Sequence, residues 1–175
     1  MAIYEFNGKS PKIGKGTWVA QSAEIIGDVK IGKKCWIGPG AVIRGDFGSI
    51  VIDDETAVED GVIIHSAGMV HINKRVTIGH MAMIHNATIE EYVVIGMSTT
   101  VCDNAVVGAW SIVAEHSLVK KNQTVKAYSI YAGIPAEKKS SLEQRHKDYM
   151  IWGKQIYVDL AARYLSSLKR IDSAP

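Results

Sequence analysis

The chain has 175 residues, a formal net charge of +2 and 47% hydrophobic residues. That length suits one domain with a sizeable core, and so small a net charge gives no electrostatic bias toward nucleic acid or an acidic partner. No apolar run approaches the roughly 20 residues of a membrane-spanning helix, and Met1-Ala2-Ile3-Tyr4-Glu5 lacks the basic and apolar regions of a secretory signal, so no membrane association and a cytoplasmic location are expected.

In chain order, residues 1–12 form a lead-in with one strand. From Ile13 aliphatic residues recur at every sixth position: Ile13, Val19, Ile25, Ile31, Ile37, Ile43. The register slips across Asp46-Phe47-Gly48 and resumes at Ile52, Val58, Ile64 and Val70. It slips again to Ile72, Ile78 and Ile84, loses one residue, and runs from Ile89 through Ile95, Val101, Val107, Val113 and Val119 to Val125. A fixed period of six is neither the 3.6 of an amphipathic helix nor the 2 of a two-faced strand. It is the signature of a hexapeptide β-helix, in which each hexapeptide makes one short strand and one corner. The aliphatic residue fills the interior, and stacked coils share one core. Gly often follows it (Gly14, Gly32, Gly38, Gly79, Gly96, Gly108), and Gly with Asn or Asp is expected to supply the backbone angles of tight corners. Three hexapeptides per turn give about six coils. Cys35 and Cys102 lie far apart, Cys35 at an interior-type position. Both are read as reduced and buried or half-buried, as suits a cytoplasmic protein. Residues 1–135 thus form the β-helix domain. Residues 136–175 carry a helix from about Ser140 to Lys169 that packs on the solenoid, with Leu142, Tyr149, Gly153, Ile156, Leu160, Tyr164 and Leu168 tracing its inner face. Trp18, Trp36, Trp110 and Trp152 are read as surface-packing or interface residues.

His65 follows Ile64 and His85 follows Ile84, so they hold the same place in their hexapeptides. Their separation is one coil plus the slip near His71, which stacks them on adjacent coils about 4.8 Å apart, facing outward. Two imidazoles so placed can share a tetrahedral metal. His80 precedes His85 by five residues, which is roughly 15 Å along a strand and too far for bonds near 2.1 Å to one ion. If all three hold one metal, His80 comes from a neighbouring copy. A threefold ring satisfies this simply, with two ligands from one chain and one from the next at each interface. His71, His116 and His146 are read as ordinary solvated or structural histidines.

Arg44-Gly45-Asp46, Glu59-Asp60, Ile64-His65, Val76-Thr77-Ile78-Gly79-His80 and Ile84-His85, with Tyr157-Val158-Asp159 in the tail, together resemble the gamma-class carbonic anhydrase family. The resemblance spans nearly the whole chain. It implies an all-β solenoid, a left-handed parallel β-helix of hexapeptide repeats with a C-terminal α-helix, assembled as a homotrimer. It implies Zn2+ (Fe2+ or Co2+ in some members) between subunits, held by His65 and His85 of one chain and His80 of the next. The implied reaction is reversible hydration of CO2 to bicarbonate by metal-bound hydroxide. Arg44, Asp46 and Asp60 correspond to a charged network bracing the interface. Glu59 stands where a Gln usually orients the hydroxide, and Tyr157 corresponds to a tyrosine near the metal.

This chain departs from the family pattern at several places. Phe47 stands where the family prototype has a glutamate, and Asp159 replaces an Asn. Only fifteen positions separate His65 from His80, which leaves no room for the acidic loop that carries a proton-shuttling glutamate. Glu59, when ionised, accepts hydrogen bonds but cannot donate one. Two other functions compete on the same scaffold. One is acyl transfer, as an acyl-CoA thioesterase or acyltransferase of the hexapeptide type. The other is a metal-binding protein with little catalytic activity.

Overall fold

The computed structural model describes residues 2–171. They form a parallel β-solenoid of about seven turns with one C-terminal helix, in keeping with a left-handed hexapeptide β-helix. The extra turn beyond the expected six begins in the lead-in. Ala2–Tyr4 pairs in parallel with Glu24–Ile31, so the first residues already belong to the ladder.

The six-residue period is what the interior needs. Ile25, Ile43, Ile64, Ile84 and Val101 pair in one register on successive coils, and all are fully buried. β-Branched side chains suit this stacked surface. Backbone N–H and C=O groups are satisfied by the next coil, as where Gly79 N–H donates to Ile95 O at 2.8 Å.

The corners differ from expectation in one respect. The left-handed position is held largely by non-glycine residues, among them Arg75, Tyr92, Trp110 and Tyr128 on one edge and Asn86, Asn104 and Asn122 on another. The asparagines hydrogen-bond up the edge, each amide donating to the next at 3.3 Å; Tyr92 and Trp110 stack at 4.1 Å. The glycines after the aliphatic residue serve close approach instead. A Cβ on Gly79 would lie 2.8 Å from Ile95 O, and one on Gly96 only 2.4 Å from Glu115 N. No side chain fits between coils there.

The helix spans Gln144–Ser167, later than the expected start. Between it and Pro135 lies the strand Glu137–Ser141, antiparallel to Ser129–Ala132. Glu143 and His146 close the helix N-terminus as a reciprocal capping box. The inner face agrees with the expected one at Leu160 and Tyr164 and is shifted elsewhere. Met150, Lys154 and Ala161 are buried, and Tyr157, Leu160 and Tyr164 pack on the core. Tyr149 and Ile156 stay exposed, bordering a groove between helix and solenoid. Trp18 and Trp36 are buried, not at the surface: their rings lie 4.2 Å apart, and both meet Tyr164 edge-on. This aromatic cluster fixes the helix on the solenoid.

Candidate metal and active site

The expected site residues fall into two groups on one chain. The first is a column along successive coils. Arg44 pairs with His65, and His65 with His85, as Cα partners across parallel strands. The two imidazole centroids lie 5.2 Å apart. Asp46 follows Arg44 within the long strand Val42–Ile52. Its Oδ2 accepts from Arg44 Nη1 at 2.6 Å, and its Oδ1 lies 3.1 Å from His65 Nε2. Burial alone would raise the Asp46 carboxyl. The hydrogen bonds from Arg44 and His65 outweigh it and hold Asp46 below the usual carboxylate range. Asp103, one coil past His85, takes His85 Nδ1 at 3.0 Å and so leaves Nε2 to a ligand. Each imidazole of the pair thus has a carboxylate fixing its ring, the usual support of metal-binding histidines.

The second group gathers around His80. The strand Thr77–Ile78 pairs with Ala57–Val58 one coil earlier, so Glu59-Asp60 runs beside Gly79-His80. Glu59 is 6% exposed. Its Oε2 accepts the backbone N–H of His80 at 3.1 Å and sits 3.0 Å from His80 Nε2. Asp60 Oδ2 is 3.6 Å from His80 Nδ1, so Asp60 is placed with His80 and not with Arg44 and Asp46. Tyr157, on the helix, lines the groove beside Glu59. Burial pushes its hydroxyl well above the usual tyrosine range, and the Glu59 and Asp60 charges push further, so it remains a donor.

Among the described residues, no three His, Cys, Asp or Glu side chains of one chain converge where they could hold a metal ion. The His65–His85 pair offers two imidazoles on one face; His80 offers a third elsewhere. Three neutral imidazoles with one open position fit a catalytic zinc if a second copy supplies the missing ligand.

Beside His80, between helix and solenoid, lies a largely apolar groove of about 630 Å³, walled by Met97, Trp152, Ile156 and Leu160 and floored by Glu59, Lys154 and Tyr157. Phe47 is 83% exposed next to Asp46. Asp159 lies on the helix, where Gln155 donates to its Oδ1 at 2.9 Å. The remaining histidines have structural partners or solvent. His71 pairs with Asp53 at 3.0 Å, His146 caps the helix, and His116 sits exposed on a corner.

Two residues of this neighbourhood escape a reading of motifs. Asp103 lies one eighteen-residue coil after His85, so coil arithmetic alone could have found it. Lys154 interrupts an apolar stripe and carries no sequence signal.

Cys35 and Cys102 are free thiols, buried and half-buried; burial pushes the Cys35 thiol up to about 11. No helix among the described residues is long and apolar enough to cross a membrane.

Residues 10–45 match the family described as bacterial transferase hexapeptide (six repeats). Gamma carbonic anhydrase 2, mitochondrial, of Arabidopsis thaliana is 36% identical over 166 residues, 90% of this chain. The chain spans only 60% of that plant protein's length. Carnitine operon protein CaiE of Salmonella agona (strain SL483) is 32% identical over 172 residues, covering 96% of this chain and 86% of CaiE. A crystal structure of a hexapeptide transferase family protein from Anaplasma phagocytophilum superposes with a TM-score of 0.90 at 32% identity, covering 93% of this chain and 98% of that one. Homology across nearly the whole length of the chain and of CaiE places the chain in the hexapeptide-repeat β-helix protein family, with gamma carbonic anhydrases among its relatives.

Proposed function

We propose that the chain forms a homotrimer in which adjacent copies join the two half-sites around one Zn2+, and that the assembled site hydrates CO2 reversibly to bicarbonate. The observation that carries this reading is the register: His65 and His85 stack as a pair while His80, with its own carboxylate and tyrosine, faces a different neighbourhood of the same chain. A rotation that brings one copy's His80 to the next copy's pair completes three ligands and repeats until the ring closes. Fe2+ or Co2+ suits the same donors.

Held by these three imidazoles, zinc would supply Lewis acidity and a nucleophile near neutral pH. The chain's own residues orient the site. Asp46 and Asp103 fix the rings of His65 and His85, and Arg44 holds Asp46. Glu59 takes the backbone N–H of His80 and fixes the coil that carries it. Tyr157, kept protonated by burial and by the Glu59 charge, lines the groove beside Glu59 and His80. Phe47, beside Asp46, offers no proton relay, which supports slow turnover by this route. The free thiols support a reducing, cytoplasmic setting.

A second reading draws on the groove. About 630 Å³ of largely apolar space beside His80 is far more than CO2 needs and falls within the ligand-pocket range of about 300–1,000 Å³. It favours hydrolysis of an acyl thioester by the same metal site.

One experiment separates these. Metal content, CO2 hydration and thioester hydrolysis are measured for the purified protein and His80→Ala. Stoichiometric metal that is lost in His80→Ala, with CO2 hydration lost alongside, is the expected result. Undiminished metal in the variant would refute the shared site. Bound metal with background hydration from pH 6 to 9 and active thioester hydrolysis would select the second reading.

A further inference from the structure

Lys154 is 2% exposed on the inner face of the helix. Its Nζ donates to Val93 O at 3.0 Å and to Thr77 Oγ1 at 3.3 Å. Burying an ammonium costs several kcal/mol before pairing. A methionine would fill the same space without that cost, so packing alone does not account for the charge.

What the ammonium grips is informative. Thr77 opens the short strand that leads through Ile78 and Gly79 to His80. Three residues along the helix, on the same face, Tyr157 lines the groove together with Glu59, and Glu59 holds the backbone N–H of His80. The helix therefore grips the strand ahead of His80 through Lys154, and beside that grip Tyr157 faces the groove that Glu59 and His80 also line.

We propose that Lys154 is a positioning residue for His80: its ammonium clasps the helix to the His80 strand and so sets the Tyr157–Glu59–His80 arrangement. This rests on the reading of His80 as a metal ligand. Loss of the clasp leaves the aromatic cluster at Trp18, Trp36 and Tyr164 to hold the helix, so the fold survives while His80 loses its placement.

Lys154→Met tests this in the full-length protein. Co2+ is the probe, followed by affinity and by the visible absorption spectrum, with helix content and sedimentation as controls. The expected result is an affinity weakened about tenfold or more, in the range for residues supporting a ligand, with an altered spectrum and unchanged assembly. Wild-type affinity and spectrum in the variant would overturn the proposal. Thr77→Val, which removes one partner and keeps the lysine, should weaken Co2+ binding in the same direction by a smaller factor; it carries the test if Lys154→Met does not fold, and wild-type affinity there would then overturn the clasp. If the wild-type protein binds no Co2+, the metal reading itself has failed. The His80 Hε1 resonance of the metal-free protein then decides the positioning role: a shift in Lys154→Met is expected, and an unmoved resonance ends the idea.

Discussion

His85 pairs with His65 across adjacent coils, their ring centroids 5.2 Å apart, while His80 keeps company with Glu59 on the same chain. A site divided in this way makes a genetic prediction. His65→Ala and His80→Ala each leave one half-site intact, so each alone should bind almost no metal. Denatured together in equal amounts and reassembled, they should regain metal at about one quarter of the interfaces, since each interface needs His65 from one variant and His80 from the other. Metal analysis of the mixed protein checks this. No recovery, despite correct assembly, would mean that the ligands do not come from two chains.

Glu59 as a carboxylate can only accept hydrogen bonds, and it adds negative charge beside the Tyr157 hydroxyl. In Glu59→Gln the amide oxygen still takes the His80 N–H, and the NH2 gains a donor. A severalfold rise in CO2 hydration is expected, on the order of 1 kcal/mol in barrier. Removing the charge also lowers the Tyr157 hydroxyl toward its ordinary range, which ultraviolet titration reads separately. A clear loss of hydration would assign the carboxylate a role of its own, such as a base.

The solenoid and the histidine stack were legible because both depend on counting. A period of six requires one interior residue per hexapeptide, and an outward residue repeats its direction one coil later. The same count relates Asp60 to His80 and His85 to Asp103. The helix face was legible only in part: Leu160 and Tyr164 pack on the core as expected, but apolar periodicity also marks Tyr149 and Ile156 while the structure buries Met150, Lys154 and Ala161. A buried charge leaves no trace in a pattern of hydrophobic residues. The depth of Trp18 and Trp36 was hidden for a related reason: they face outward from the coil, and only the returning helix buries them.

Coil spacing also sets a stability prediction. An added Cβ at Gly96 meets Glu115 N at 2.4 Å and the carbonyl carbon of Ala114 at 2.7 Å. Both are backbone atoms of the next coil and cannot rotate away. Gly96→Ala should therefore cost about 1–3 kcal/mol, the usual range for overpacking, despite the gain in helix and chain-stiffness propensity that alanine brings elsewhere. Chemical denaturation measures it. A variant as stable as wild type would show that the coils can separate locally without penalty.

Lys154 makes stability depend on pH. Burial lowers its ammonium to about 7, the Arg75 charge adds to this, and Glu59 opposes it. In the unfolded chain the group titrates near its ordinary value of about 10.4. Between those values the unfolded state holds more protons, so stability rises with pH, by at most about 1.4 kcal/mol per unit from this one group. The penalty is fully present below pH 7 and absent above the ordinary lysine range. Lys154→Met removes the titration and should be the more stable protein at pH 7, with wild type closing the gap as pH rises toward 10. Denaturation midpoints of the two proteins at pH 7 and pH 9.5 check this, the other titrating groups cancelling in the difference. A gap that stays constant would mean that Lys154 is not buried as a charge. A gap that widens would mean that its hydrogen bonds to Val93 and Thr77 outweigh desolvation.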